Sequence, residues 1–198
     1  MNWHLITDEQ IPFHIQVRTL KQCAKEVELL HVRNQHASLQ RLRQQIEHLL
    51  RLGFTKQQLI LNYHAEAAIA WGLGGVHLKE TQLDQLQTLK KAHPNMTIGA
   101  SVHDKSAAQY CADQGADYVY AGHIFDTPSK QDIPGRGLEF LQNIASHVTV
   151  PIYAIGGVTN HNAMQCLDAG AQGVAVMSAI WHSDSPKTIA RQFAKGVQ

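Results

Sequence analysis

The chain has 198 residues, 44% of them hydrophobic and 17% charged, and a formal net charge of +1. This is enough chain for one well-buried core and too little for two ordinary domains, so a single domain over residues 1–198 is expected. The near-neutral balance, with no basic stripe and interleaved aromatics, gives no support to nucleic-acid binding, and no apolar run approaches the ~20 residues of a membrane span.

The opening Met1–Asp8 lacks the charged and apolar regions of a signal peptide. Cys23, Cys111 and Cys166 are scattered and form no metal or redox spacing, which suits a reducing cytoplasm. Thirteen histidines are many for this length. Most are expected on helical faces, such as His48, or at helix ends, such as His93 and His147, where water solvates them.

Short apolar runs recur along the chain: His4–Ile6, Leu29–Val32, Leu59–Leu61, Gly75–Leu78, Thr97–Ala100, Asp117–Tyr120, Pro151–Ile155 and Gly173–Met177. Near-continuous apolar strands without alternation indicate a parallel sheet covered on both faces. Helical periodicity fills the gaps. Residues 38–52 place Leu39, Leu42, Ile46, Leu49 and Leu50 at helical steps, with Ser38 as N-cap and Gly53 as stop. Residues 82–92, 104–114, 137–146, 160–169 and 187–195 read as helices, and 64–71 as a shorter one. Asp113–Asp117 and Asp168–Gly173 share one phrase, a helix end, a glycine stop and a strand entry, as a repeated βα unit would. Eight such units predict an α/β fold, a single (β/α)8 TIM barrel. A doubly wound open sheet is the alternative, but it usually carries its glycine-rich phosphate loop after the first strand. Here the first strand ends Ile6-Thr7-Asp8-Glu9, without glycine.

The glycines come late. The seventh strand ends Ile155-Gly156-Gly157-Val158, and the eighth Val176-Met177-Ser178-Ala179. Barrels often bind phosphate between the loops after these strands, where glycine lets backbone amides approach an anion. Gly156, Gly157, Met177, Ser178 and Ala179 are therefore candidate ligand-binding residues, as against two tight turns with no ligand. After the sixth strand come Gly122-His123-Ile124-Phe125-Asp126-Thr127 and then residues 128–137, the longest βα connection and a candidate lid. His123 stands where barrel enzymes place catalytic groups and could give or take a proton near neutrality, or could simply hold the loop by a hydrogen bond. Thr127 is a further binding candidate.

Arg33, Asn62, His77 and His103 are polar residues read at other strand ends. Arg33 could hold a carboxylate or phosphate, and Asn62 could orient a ligand or cap a helix. His77, His103 and His123 could together bind zinc. With no His-x-His on the first strand and no acidic residue at these ends, no metal site is expected.

Taken in order, these motifs resemble the thiamin-phosphate-synthase-like barrels, and most closely their thiazole tautomerase (TenI) branch. The resemblance runs from Leu5-Ile6-Thr7-Asp8 through Gly99-Ala100-Ser101-Val102-His103 and Gly122-His123-Ile124-Phe125 to Gly173–Ile180. The branch is chosen on departures from the synthases. Those enzymes usually carry Asn-Asp after the third strand, the aspartate binding magnesium; here the pair is Asn62-Tyr63. An acidic pair that usually follows the fourth strand is incomplete in Lys79-Glu80. Their Gln-x-Arg-x-Lys, which grips pyrophosphate, reads His31-Val32-Arg33-Asn34-Gln35 and has lost the lysine. Their Gly-Pro-x-Phe is Gly122-His123-Ile124-Phe125, as in the tautomerases, where this histidine is the proposed proton shuttle.

The resemblance implies an isomerase of thiamin biosynthesis acting on a small phosphorylated thiazole carboxylate. It would convert a 2-carboxy-4-methylthiazol-5-ylidene ethyl phosphate to the aromatic isomer, without metal or other cofactor. His123 would be catalytic. Gly156, Gly157, Ser178 and Ala179 would hold phosphate and Arg33 the carboxylate, with Asn62, His103, Thr127 and Met177 as further candidates. A cytoplasmic homodimer is what the family suggests. The alternatives are a magnesium-dependent thiamin-phosphate synthase and a non-catalytic regulatory binder that keeps the phosphate pocket.

Overall fold

Eight parallel strands close into a barrel in chain order. They are β1 (Asn2–Ile6), β2 (Leu29–Val32), β3 (Leu59–Asn62), β4 (Gly75–Leu78), β5 (Thr97–Val102), β6 (Tyr118–Ala121), β7 (Ile152–Ile155) and β8 (Gly173–Val176). The structure, a computed structural model, describes residues 1–127 and 133–196. Closure is made by β1 on β8, with His4 opposite Ala175 and Leu5 opposite Val176.

Around the barrel run α1 (Phe13–Cys23), α2 (Leu39–Arg51), α3 (Ala65–Trp71), α4 (Leu86–Ala92), α5 (Lys105–Asp113), α6 (Gly137–Ala145), α7 (Ala163–Asp168), α8 (Ser178–Trp181) and α9 (Pro186–Lys195). Ser38 accepts a hydrogen bond from Arg41 N and so caps α2, and Asp104 caps α5 through Ala107 N. Both supply a partner to an amide the first helical turn leaves unpaired. Residues 82–92 divide into a 3-10 segment, Glu80–Gln85, and α4. Helix α1 was not expected from the sequence. It starts after Pro12 with no side-chain cap, and its buried face includes the polar Gln16 beside Val17, Leu20 and Cys23.

Outward-facing strand residues such as Leu5, Leu30, Leu61, Val119 and Val174 join the helices in one hydrophobic core. Ile6, Tyr118, Tyr120, Tyr153 and Ala175 form a second cluster inside the barrel. The tyrosines fit because small residues face them. A side chain on Gly99 would collide with the Tyr118 ring, and a Cβ on Gly173 would stand 2.7 Å from Tyr153 Cε1.

The interior is also polar, although barrel cores are usually dominated by Val, Ile and Leu. His4, His31 and His77 are 1%, 0% and 1% exposed, so they stand apart from the solvated majority expected of the histidines, and His77 lies in the barrel interior instead of at the mouth. His31 Nδ1 donates to Asn62 Oδ1 at 3.1 Å, which leaves Nε2 to accept from the Tyr120 hydroxyl at 2.7 Å. With its own proton committed, Tyr120 accepts from His4 Nδ1 at 2.9 Å. His77 bonds the hydroxyls of Tyr118 at 3.1 Å and Ser101 at 2.9 Å. Burial without a counter-charge holds these imidazoles neutral, pushing His31 down to about 3 and His4 and His77 well below their ordinary range.

Candidate active site at the C-terminal mouth

A cavity of about 440 Å³ opens beyond the C-terminal ends of the strands, lined by the ends of β1, β7 and β8 and by the loops after β1, β2, β6, β7 and β8. The groove at the other end of the barrel, about 490 Å³ and lined by Gln57, Leu73, His93 and Pro94 among others, gathers no convergent set of charged groups. At the mouth such a set exists. Arg33, His123, Thr127, Gly156, Gly157, Met177 and Ser178 line one cavity, so most of the expected site residues do meet.

His123 is 5% exposed and holds a left-handed backbone, φ 60°, which is uncommon for a residue with a side chain. Hydrogen bonds fix it there. Arg136 N donates to His123 O at 2.8 Å, Ile124 N to Ile155 O at 3.1 Å and Phe125 N to Gly156 O at 3.0 Å. The loop after β6 is thus zipped to the end of β7. Among the described residues, His123 Nε2 is the buried side-chain polar atom without a hydrogen-bond partner. Leaving such a group unpaired costs about 1–3 kcal/mol, and sites kept that way in a folded protein call for an explanation.

The two glycines after β7 have a packing role not read from the sequence. Gly156 and Gly157 both have positive φ, 99° and 65°. A Cβ on Gly157 would stand 2.7 Å from Phe125 Cβ. Bulk at Gly157 would therefore disturb the His123 loop before it met any ligand, so its substitution does not report on anion access alone. Ser178 opens α8, which is tethered to the first strand by Trp181 Nε1 donating to Ile6 O at 2.6 Å.

Arg33 is engaged within the protein. Its Nη1 lies 3.0 Å from Glu9 Oε1, and its Nε donates to the Tyr63 hydroxyl at 3.1 Å. Burial opposes the charge, but Tyr63, Glu9 and Asp8 together hold the guanidinium's pKa above its ordinary value. Tyr63 is itself held at φ 75°.

Asn62, His103 and Ala179 are not part of the cavity wall. Asn62 caps no helix and does not line the cavity; it ends β3 inside the barrel and bonds His31. His103 is exposed above Gly122, its Nε2 3.9 Å from Glu80 Oε2. Ala179 lies one residue past the wall on α8. Of the expected lid, residues 128–132 lie outside the described residues. Asp8, Glu9 and His182 line the cavity and were not expected to. Their signal was position alone, directly after β1 and at the end of α8.

The magnesium site of the synthases, as the resemblance described it, does not fit these residues. At its third-strand position stands a phenol already bonded by Arg33, beside an asparagine turned into the barrel. Magnesium prefers carboxylate and water oxygens in octahedral array and is repelled by a neighbouring guanidinium. Among the described residues no group of three or more His, Cys, Asp or Glu side chains is placed to hold a metal.

The fold and mouth define a (β/α)8 barrel with its cavity at the C-terminal ends of the strands. Residues 3–180 match the family described as thiamine monophosphate synthase, and the chain belongs to it. It is 34% identical over 199 residues to a thiamine-phosphate synthase of Chlorobium phaeovibrioides, covering 98% of this chain and 93% of that one. It resembles the structure of a thiamine phosphate pyrophosphorylase from Pyrococcus furiosus with a TM-score of 0.75 and 26% identity, over 98% of this chain and 95% of that one. A 3-hexulose-6-phosphate synthase from Salmonella typhimurium, 13% identical with a TM-score of 0.79 over 98% and 97% of the two chains, shares the fold. The Chlorobium and Pyrococcus proteins are named for the synthase, or pyrophosphorylase, and not for the tautomerase branch. Among the described residues, no helix is long and apolar enough to cross a membrane.

Proposed function

We propose that this family member is a thiazole tautomerase, an isomerase that aromatises a phosphorylated thiazole carboxylate. The observation that carries the reading is His123. It is a buried imidazole at the end of β6 with an unpartnered Nε2, on the wall of a cavity at the catalytic face. In the reaction the C2–H bond of the non-aromatic ring breaks and its proton passes to the imidazole. The ring electrons close the aromatic system, and the exocyclic carbon takes a proton back from the same group. Atoms and charge balance with no redox partner. The phosphate would lie against Gly156, Gly157 and Ser178, where backbone amides and a hydroxyl can bond it. The carboxylate would face Arg33. The test is incubation with the non-aromatic intermediate, following formation of the aromatic ring by ultraviolet absorbance; absence of any acceleration by the protein defeats the reading.

A second reading, a thiamin-phosphate synthase, is favoured by the names of the relatives. That transferase must ionise a pyrophosphate leaving group. Tyr63 and Gln35 here replace the aspartate and lysine that would assist it. Magnesium-dependent coupling of a hydroxymethylpyrimidine diphosphate to a thiazole phosphate would establish the transferase instead.

A further inference from the structure

The expected carboxylate site is already in contact with a carboxylate. Glu9 Oε1 sits 3.0 Å from Arg33 Nη1, and its other oxygen accepts from Gln35 N at 2.7 Å. Glu9 therefore joins the loop after β1 to the loop after β2. The backbone behind the pair is fixed, since Arg33 N donates to Thr7 Oγ1 at 2.8 Å and that hydroxyl donates to Arg33 O at 3.0 Å. Both side chains are largely sheltered, Arg33 28% exposed and Glu9 18%, and both line the cavity, as does Asp8. A ligand anion arriving at this guanidinium meets a resident anion of the same chemistry, in a partly desolvated place where like charges repel more strongly than in water.

We propose that Glu9 is a specificity-determining residue, a built-in carboxylate that competes with the second anionic group of the ligand for Arg33. The inference rests on the proposed orientation, with phosphate at the β7–β8 side and carboxylate toward Arg33. A ligand bearing phosphate alone does not engage the competition. A ligand bearing a carboxylate as well must share Arg33 with Glu9 or displace it. Glu9 thereby lowers the affinity for the carboxylated ligand and favours its release.

The experiment compares two probes by calorimetry: the aromatic carboxythiazole ethyl phosphate and the same molecule without its carboxylate. Glu9→Gln keeps the shape and an oxygen for Gln35 N while removing the charge; Glu9→Asp keeps the charge. In Glu9→Gln the carboxylated probe should bind about two- to fivefold tighter, the worth of one partly screened ion pair. The other probe should bind as before. Glu9→Asp should show no gain, and adding Arg33→Ala to Glu9→Gln should abolish it. An equal change for both probes would mean that Glu9 only braces the loops, and no change would mean that it does not compete; either overturns the proposal. A selective gain in a protein that fails to turn over the non-aromatic intermediate would sustain the role of Glu9 and remove the proposed chemistry. Failure of both probes to bind any variant would remove both.

Discussion

A Cβ on Gly156 would stand 2.7 Å from the Cα of His123. The glycine is the surface against which the left-handed His123 rests, at φ 60°. Gly156→Ala should therefore act on His123 twice, through the collision and through its own unfavourable φ of 99°. Strained backbone of this kind costs on the order of 1–3 kcal/mol. The expected outcome is a folded protein with a lowered melting temperature and a loss of turnover larger than its loss of affinity for phosphorylated ligand. Thermal unfolding, calorimetry and the ultraviolet assay on one sample check this. Unchanged turnover would detach the glycine from the presentation of the histidine.

The barrel interior predicts acid sensitivity. His4, His31 and His77 are held neutral when folded, His31 down to about 3, and titrate normally when the chain unfolds. As pH falls below about 6.5 the unfolded chain takes up protons that the folded barrel refuses, so stability falls toward pH 3, by about 1.4 kcal/mol per pH unit for each such histidine. Glutamine at position 31 can still donate to Asn62 and accept from Tyr120 but does not titrate. His31→Gln should flatten the slope of stability against pH between 6 and 4 by roughly one histidine's share. A denaturant series at several pH values measures it, and an unaltered slope would show that His31 is not a source of the effect.

Exhaustive chelation should leave the isomerisation unchanged. Tyr63 meets Arg33 where the synthases would place a metal-binding carboxylate, and the proposed step asks for no Lewis acid. Activity lost to chelator and restored by magnesium would reinstate the synthase, whereas restoration by zinc would point to the histidines of the mouth.

The barrel was legible because its strands are buried on both faces and so read as unbroken apolar runs. Their ends agree with the structure to within two residues, as Thr97–Ala100 against Thr97–Val102 shows. Helix α1 was not legible, because Gln16 fills a buried position and its amide bonds the carbonyls of Asp8 and Ile11 instead of water. The inward histidines were hidden by the same apolar context that revealed the strands. Leu30-His31-Val32 reads as apolar, yet strand alternation sends His31 inward as Leu30 and Val32 turn to the helices. Such alternation, applied strand by strand, would have moved His77 and Asn62 from the mouth to the interior. The partners of Arg33 lie 24 and 30 positions away in sequence, and only closure of the barrel brings Glu9 and Tyr63 to it.

The decisive side chain remains His123. In the proposed reaction one imidazole accepts the C2 proton and delivers a proton to the exocyclic carbon, so it must be basic enough to take the first and acidic enough to return it. The zipper between the β6 loop and β7 fixes its backbone through Arg136 N, Ile124 N and Phe125 N, none of which depends on the ring. Asparagine tolerates left-handed φ better than most residues and keeps some polarity, so His123→Asn should preserve the loop while removing the imidazole that would carry the proton. General acid–base catalysis typically supplies on the order of 10²–10⁴-fold, and turnover should fall by that much. Affinity for the aromatic carboxythiazole phosphate should change little, because its anionic groups are assigned to the β7–β8 loops and to Arg33. Turnover and binding measured in parallel separate the cases. Near-normal turnover would exclude His123 from the chemistry and turn attention to His182, the other cavity-lining imidazole. Equal losses of turnover and binding would make His123 a residue that positions the ligand and leave the proton transfer to another group.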